Sequence, residues 1–450
     1  YFIENLGSIF EGGLWAEKIG DRKFFHPVDN DTVLTPPNSR SRFVPRWYPA
    51  GPERAVTMDS ARAWVGAHSP RIALDPGSAR GIRQPGIPVT EGMGYTGRVV
   101  LAADPGTQVR ISLVWGTGPR DRQTIPITPR STDYETYGFA LTAGATTELG
   151  MFEILATGSG ALWVGAVSLM RADNVEGFRP DMIEVLREVN PTTLRWGGNF
   201  SAGYEWRDGI GDRDRRPPRY DHAWDAVEQN DVGTFEVLAL NRLLGAEPNI
   251  GVNAGLGDAY SAAQWVEYVN GSIDTPMGRL RAEHGHPEPF GVKWWGIGNE
   301  MYGQWQLGHM AIDHYVLQHN RFADAMRAVD PSIILVASGA TPFETGTTER
   351  HHREPHRQRP FEYGSAGDWS GRLLEHSWRH FDYMAEHIYA VTDAAFDADG
   401  QEFVPIEAPL QDRLRRIANR VQAAVEAWEH YQETMPWLED TGIRMVLDEW

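Results

Sequence analysis

From Asn174 onward the chain alternates short apolar runs with stretches of helical periodicity, and no other feature narrows its fold as much. The runs are Thr193 to Trp196, Pro248 to Val252, Val292 to Ile297, Ile333 to Ala337, Tyr383 to Tyr389 and Ile443 to Leu447. Between them apolar side chains recur at helical spacing, as in Met182, Val185, Leu186 and Val189, or Ile312, Tyr315, Val316, Phe322, Met326 and Val329. A third set is Leu414, Ile417, Val421, Ala424, Val425, Trp428 and Tyr431. Strands too short to cross back without a helix, each followed by one, are the βα units of a parallel sheet. With Tyr1 to Phe10 as the opening strand there are seven, one fewer than a closed (β/α)8 barrel needs. A doubly wound open sheet is the alternative, but no Gly-x-Gly-x-x-Gly follows an early strand.

Between Pro49 and Ala172 the texture changes. Gly, Pro, Ser and Thr turns separate segments that alternate with period two, such as Val109, Ile111, Leu113 and Trp115, or Leu162, Val164 and Ala166. That pattern predicts an antiparallel sandwich or jelly roll. The expected organisation is therefore α/β: a TIM-type barrel lacking its eighth βα unit, with an all-β jelly-roll sandwich inserted after the first strand. Its parts are residues 1–48 (first barrel strand), 49–172 (sandwich) and 173–450 (the rest of the barrel). The chain opens without methionine and stops just after a strand-like run, so both ends are expected to be cut.

Composition removes several functions. A formal charge of -19 disfavours a nucleic-acid partner, which needs clustered Lys and Arg. The absence of cysteine excludes disulfides, thiolate metal sites and cysteine nucleophiles. It leaves the compartment undetermined, with the extracellular or periplasmic side weighed ahead of the cytosol. No run approaches the ~18 consecutive apolar residues of a membrane span, so no membrane partner is expected. The 17 Trp, 17 Phe and 15 Tyr offer flat faces for sugar rings, though aromatics serve the core first.

Reactive groups of a (β/α) barrel lie where strands end at the C-terminal face. The fourth strand, Val292 to Ile297, runs into Gly298-Asn299-Glu300, and the seventh, Ile443 to Leu447, into Asp448-Glu449-Trp450. Two carboxylates at one mouth suit a retaining glycosidase, in which one protonates the leaving oxygen and the other, about 5–5.5 Å away, attacks the anomeric carbon. The acid is expected to have a raised pKa, from apolar walls such as Trp294, Trp295, Tyr302 and Trp305 and from the neighbouring carboxylate.

At these residues the chain resembles glycoside hydrolase family 51, the α-L-arabinofuranosidases. The similarity lies in Phe2-Ile3-Glu4-Asn5-Leu6-Gly7, in Leu194-Arg195-Trp196-Gly197-Gly198-Asn199-Phe200 with Gly203-Tyr204-Glu205-Trp206, in Trp294 to Glu300, and in Leu447-Asp448-Glu449-Trp450. In the second of these, Trp196 meets Gly197 directly where the family usually has a proline between.

The resemblance implies Glu300 as acid/base and Glu449 as nucleophile, with Glu4, Asn199 and Asn299 bonding the furanose hydroxyls and Trp206 as a sugar-facing wall. Tyr389 matches a tyrosine that hydrogen-bonds the nucleophile, and His387 is either a structural histidine or a subsite contact. The sandwich resembles a carbohydrate-binding-module-like domain whose role is either glycan binding or structural.

The implied activity is removal of non-reducing α-L-arabinofuranosyl groups from arabinan- or arabinoxylan-type glycans, with no cofactor and no metal. His351, His352 and His356 sit in a Gly- and Pro-punctuated loop, Thr341 to Asp368, that reads as a lid rather than a metal site. A homo-oligomer is compatible with the sequence. Galactofuranosidase or endo-β-glucanase activity on the same machinery, or a non-catalytic carbohydrate-binding protein, are the competing expectations.

Overall fold

The computed structural model describes residues 1–6, 9–31, 46–340, 363–365, 368–388, 394–396, 403–405 and 409–449. The chain divides into two compact units, one made of Tyr1–Glu4, Pro191–Glu205 and Gly245–Trp450, the other of Asn5–Asn190 and Trp206–Leu244.

The first unit is built on a seven-stranded sheet, parallel throughout, whose strands follow one another in sequence order. They are Phe2–Ile3, Thr193–Trp196, Glu247–Val252, Trp294–Ile297, Ile334–Ser338, Tyr383–His387 and Arg444–Glu449. In a flat sheet the second and seventh would lie five spacings, ~24 Å, apart. Yet the Arg195 guanidinium in the second lies 2.8 Å from Glu449 in the seventh, so the sheet curls upon itself.

Side-chain alternation sorts the two surfaces of this curl. Trp196 and Trp295 point outward, each edge-to-face on Trp265 of helix Ala259–Asn270, at 5.9 and 6.0 Å between ring centroids. Arg195 takes the opposite, inner surface. Helix Ile312–Val329 packs through Ile312, Tyr315, His319, Phe322, Ala323 and Met326, a stripe of the spacing that an amphipathic helix buries. The Tyr315 hydroxyl donates to the Ile297 carbonyl at 2.6 Å and accepts from Ser338 N at 2.9 Å, pinning the fourth and fifth strand ends.

One irregularity matters for the site. Pairing of the last two strands runs in step to Glu386 and Leu447, then jumps so that His387 faces Glu449. Asp448 is the extra residue, and such a bulge re-aims the side chains on either side of it.

The second unit holds two five-stranded antiparallel sheets. One joins Tyr48–Ala50, Arg80–Val89, Thr147–Thr157, Gln108–Val114 and Arg122–Ile127; the other joins Val56–Asp59, Ser69–Ala73, Ala161–Arg171, Gly94–Ala103 and Glu135–Thr142. Their inner faces share one core that includes Ile72, Ile82, Val99, Ile111, Phe152, Ile154 and Val164. Helices Pro180–Val189 and Thr234–Leu244 belong to this unit by their contacts. A buried ionic knot ties its segments together: Arg22 bonds Asp214 at 2.6 Å and also Asp231, Lys23 bonds Asp231 at 3.0 Å, and Arg98 bonds Asp214 at 2.6 Å.

Among the described residues, no helix is long and apolar enough to cross a membrane.

Candidate active site

Glu300 leaves the fourth strand through two left-handed residues: Gly298 has φ +77° and Glu300 itself φ +46°. A non-glycine residue is uncommon there, and such geometry concentrates at functional sites. The turn presents the carboxyl group, 7% exposed, to two ring nitrogens. Trp305 Nε1 donates to Oε2 at 2.6 Å, and His387 Nδ1 stands 3.0 Å from Oε1.

Glu449, at the end of the seventh strand, accepts from Arg195 Nη1 at 2.8 Å and lies 3.5 Å from His387 Nδ1. Because of the bulge, Asp448 also turns inward, 3.1 Å from Arg195 Nε and 3.1 Å from His387 Nε2. The remaining Arg195 nitrogen donates to Asn299 Oδ1 at 2.5 Å, and Asn299 Nδ2 donates to Asn199 Oδ1 at 3.0 Å. Glu4 accepts from Phe200 N at 3.0 Å beneath Gly198, where φ is +95° and a Cβ would lie 2.4 Å from the Glu4 carboxyl carbon. Only glycine permits that approach.

Five of the expected site residues, Glu300, Glu449, Asn299, Asn199 and His387, are thus joined in one hydrogen-bonded array at the C-terminal ends of the strands. Glu4 is tied to the same loop through Phe200. Trp206 is buried, but it belongs to the second unit. Tyr389, His351, His352 and His356 lie outside the described residues. The aromatic walls differ from expectation: Trp295 is fully buried outside the curl, Trp294 packs on Tyr383 at 4.9 Å, and Trp305 bonds the carboxyl directly.

The electrostatics depart from the raised acid expected for Glu300. Burial does push its carboxyl up, but the His387 hydrogen bond and charge, the Trp305 N–H and Arg195 outweigh it and leave the group below its usual range. Burial pushes His387 toward neutrality, yet the Glu449 charge and the bonds to Asp448 and Glu300 hold the imidazole well above its usual range. Asp448 is also lowered: burial is overcome by Arg195 and His387. These directions favour a protonated imidazole at His387 beside ionised carboxylates at Glu300 and Asp448.

Glu300, His387 and Glu449 each offer an oxygen or nitrogen within 4.8 Å of the others, a spacing a metal ion would also accept. Their atoms are already engaged by Arg195, Trp305 and one another, and a guanidinium beside Glu449 opposes a second cation. The set fits hydrogen-bonded acid/base machinery better than a metal centre.

Arg195 and Asp448 are the two residues the sequence reading left without a role. A signal for the first was present, since an arginine inside a buried strand needs a carboxylate partner.

The family model for the α-L-arabinofuranosidase 1 domain matches residues 185–371. Intracellular exo-α-(1→5)-L-arabinofuranosidase 1 of Bacillus subtilis is 37% identical over 215 residues, 48% of this chain and 39% of that protein. α-L-Arabinofuranosidase C of Emericella nidulans is 42% identical over 164 residues, 36% of this chain and 32% of that protein. The chain thus spans less than half the length of these curated relatives.

Among solved structures, the arabinose complex of the Thermotoga maritima α-L-arabinofuranosidase aligns with a TM-score of 0.50 and 32% identity, covering 62% of this chain and 49% of that one. An arabinose-bound family 51 enzyme aligns with a TM-score of 0.62 over 80% of this chain and 64% of that one; at 20% identity it bears on the fold alone.

Proposed function

We propose, from its likeness to the α-L-arabinofuranosidases of glycoside hydrolase family 51, that the chain is one of them and removes non-reducing α-L-arabinofuranosyl groups from arabinan- or arabinoxylan-type glycans by double displacement. The observation that carries this is the approach of Glu300 and Glu449, whose oxygens come within 4.8 Å of each other. Retaining enzymes hold their two carboxyl groups about 5–5.5 Å apart, whereas inverting enzymes keep about 6.5–9.5 Å for a water.

In this reading Glu449, oriented by Arg195 on Oε2, attacks the anomeric carbon. Glu300 protonates the departing oxygen, and the proton reaches it from His387 Nδ1, 3.0 Å away. Loss of that proton to the leaving group restores the ionised Glu300, which then takes a proton from the water that opens the glycosyl-enzyme. Asn299 and Asn199 meet the sugar hydroxyls, with Glu4 beside them. The architecture is read as a TIM-type barrel over residues 1–48 and 173–450 with a jelly roll inserted over 49–172, a reading supported by the seven parallel strands and by the antiparallel strands from Tyr48 to Arg171, although residues 5–48, 173–190 and 206–244 pack with the second unit.

The test is proton NMR of the first-formed anomer, with retention expected; inversion would sink the assigned roles. Glu300→Ala should cost ~10²–10⁴-fold in kcat/KM on an oligosaccharide and little in kcat/KM on an activated aryl arabinofuranoside, whose lowered kcat azide should restore. If the activated galactofuranoside is turned over faster than the arabinofuranoside, the substrate assignment is wrong.

A further inference from the structure

Glu300 is gripped at both oxygens, and the two grips differ in kind. Histidine nitrogen donates or accepts according to its tautomer, whereas indole nitrogen only donates. Trp305 Nε1, at 2.6 Å, therefore commits Oε2 to acceptance. The hydroxyl oxygen of a carboxylic acid is a weak acceptor, so a proton and the indole compete for Oε2. Oε1, facing His387 Nδ1, is the oxygen left to carry the proton.

We infer that Trp305 is a positioning residue that decides which oxygen of Glu300 holds the transferable proton. The inference rests on the reading of Glu300 as acid/base.

The local fold is shaped to deliver this contact. Left-handed Glu300 reverses the chain, and Gly303 N closes the turn on the Glu300 carbonyl at 2.8 Å, with Met310 N returning to the Met301 carbonyl at 2.9 Å. The indole then lies on Gly303, so closely that a Cβ there would come within 2.5 Å of its ring. Tyr302 closes edge-on against the indole at 6.1 Å and against Trp369 at 5.7 Å, which fixes the ring between neighbours.

In the first step the Oε1 proton passes to the glycosidic oxygen as its bond to the anomeric carbon breaks and the bond from Glu449 forms. In the second, Oε1 takes a proton from water as the water oxygen replaces Glu449. Trp305 keeps the same oxygen in both roles.

Trp305→Phe retains a ring and removes the N–H. The expected results are a ~10-fold or larger fall in kcat/KM on an arabinofuranosyl oligosaccharide, little change on a dinitrophenyl arabinofuranoside, and an alkaline limb displaced upward by about one pH unit. Gly303→Ala keeps the indole but forces it off its seat, and should reproduce all three effects, with thermal melting to show that each variant is folded. An unmoved pH profile with equal losses on both substrates, in either folded variant, overturns the proposal. Glu300→Ala assayed in parallel separates the two ideas: full activity without Glu300 removes the acid/base reading itself, whereas a disabled Glu300→Ala beside a silent Trp305→Phe removes only the role of Trp305.

Discussion

Each unit buries a knot of carboxylates and cations, and the two differ in how the positive charge is shared. In the second unit it is concentrated. Arg22 and Lys23 converge on Asp231, Arg22 and Arg98 on Asp214, and both aspartates are held well below their usual range against the burial that pushes them up. A cavity of about 30 Å³ is lined by Glu11, Asp221 and Glu228 as well as by Asp231, and these three are left short of cations. Burial raises Glu228 to about 7, Asp221 to about 6 and Glu11 well above the usual range.

In the first unit a single guanidinium is spread over Asp448, Glu449 and Asn299, and one imidazole touches three carboxylates. Concentrated charge makes an anchor. Distributed charge lets Glu300 and Glu449 approach closely without either capturing the cation alone, which is what the proposed two-carboxylate mechanism requires.

The sharpest way to break this contrast is Arg195→Met. A buried ion pair that loses one partner leaves an uncompensated charge, at a cost of about 3–5 kcal/mol. Two carboxylates and an amide lose their donor at once, so activity should fall by ~10²–10³-fold together with a lower melting temperature. A variant that melts lower but keeps wild-type kcat would make Arg195 an anchor of the Asp231 kind.

Asp231→Asn asks the complementary question of the second unit. Arg22 would keep Asp214, but Lys23 would retain only neutral partners, among them the Arg213 carbonyl at 3.2 Å. Calorimetry should record a loss of about 3 kcal/mol in a transition of the second unit. The array around Glu300 and Glu449 should be less affected, so residual activity at a temperature below that transition should be near wild type. Equal loss of activity and stability would join the two knots functionally and dissolve the contrast.

Sequence and structure meet unevenly across these knots. Glu300 and Glu449 were legible because each breaks an apolar run at the end of a predicted strand, and strand Thr193–Trp196 fell on the residues predicted for it. Asp448 was hidden, since the bulge that turns it inward exists only in its pairing with Glu386 and His387. Trp305 read as an apolar wall because its N–H reaches Glu300 only after the left-handed reversal. The sandwich was visible as alternation, yet its ionic knot joins Arg22 to partners 192 and 209 positions away, beyond any local pattern. The lowered Glu300 escaped for the same reason: burial and like charge can be guessed from neighbours in sequence, but the opposing imidazole comes from the sixth strand.

The smallest expected effect is also the most specific to the charge-poor side of the second unit. Glu228 rises from 4.5 to about 7 on folding, so between those values the folded chain holds a proton that the unfolded chain releases. Stability from this group is complete below pH 4.5 and is lost as pH rises through 7. Asp231 and Asp214 have the opposite sign, but their contribution is lost only as pH falls below 3.8, outside this window.

Glu228→Gln keeps an oxygen for the Asn5 amide, which now donates to Oε2 at 2.7 Å, and removes the titration. Melting measured from pH 5 to pH 8 should therefore decline less steeply in the variant, with a gain at pH 8 and little change at pH 5. Part of the slope should persist, because Asp221, Glu11 and the buried Asp21, raised to about 7, titrate with the same sign. An unchanged slope would mean that Glu228 is ionised in the folded protein, and that cations in the second unit reach further than Asp231 and Asp214.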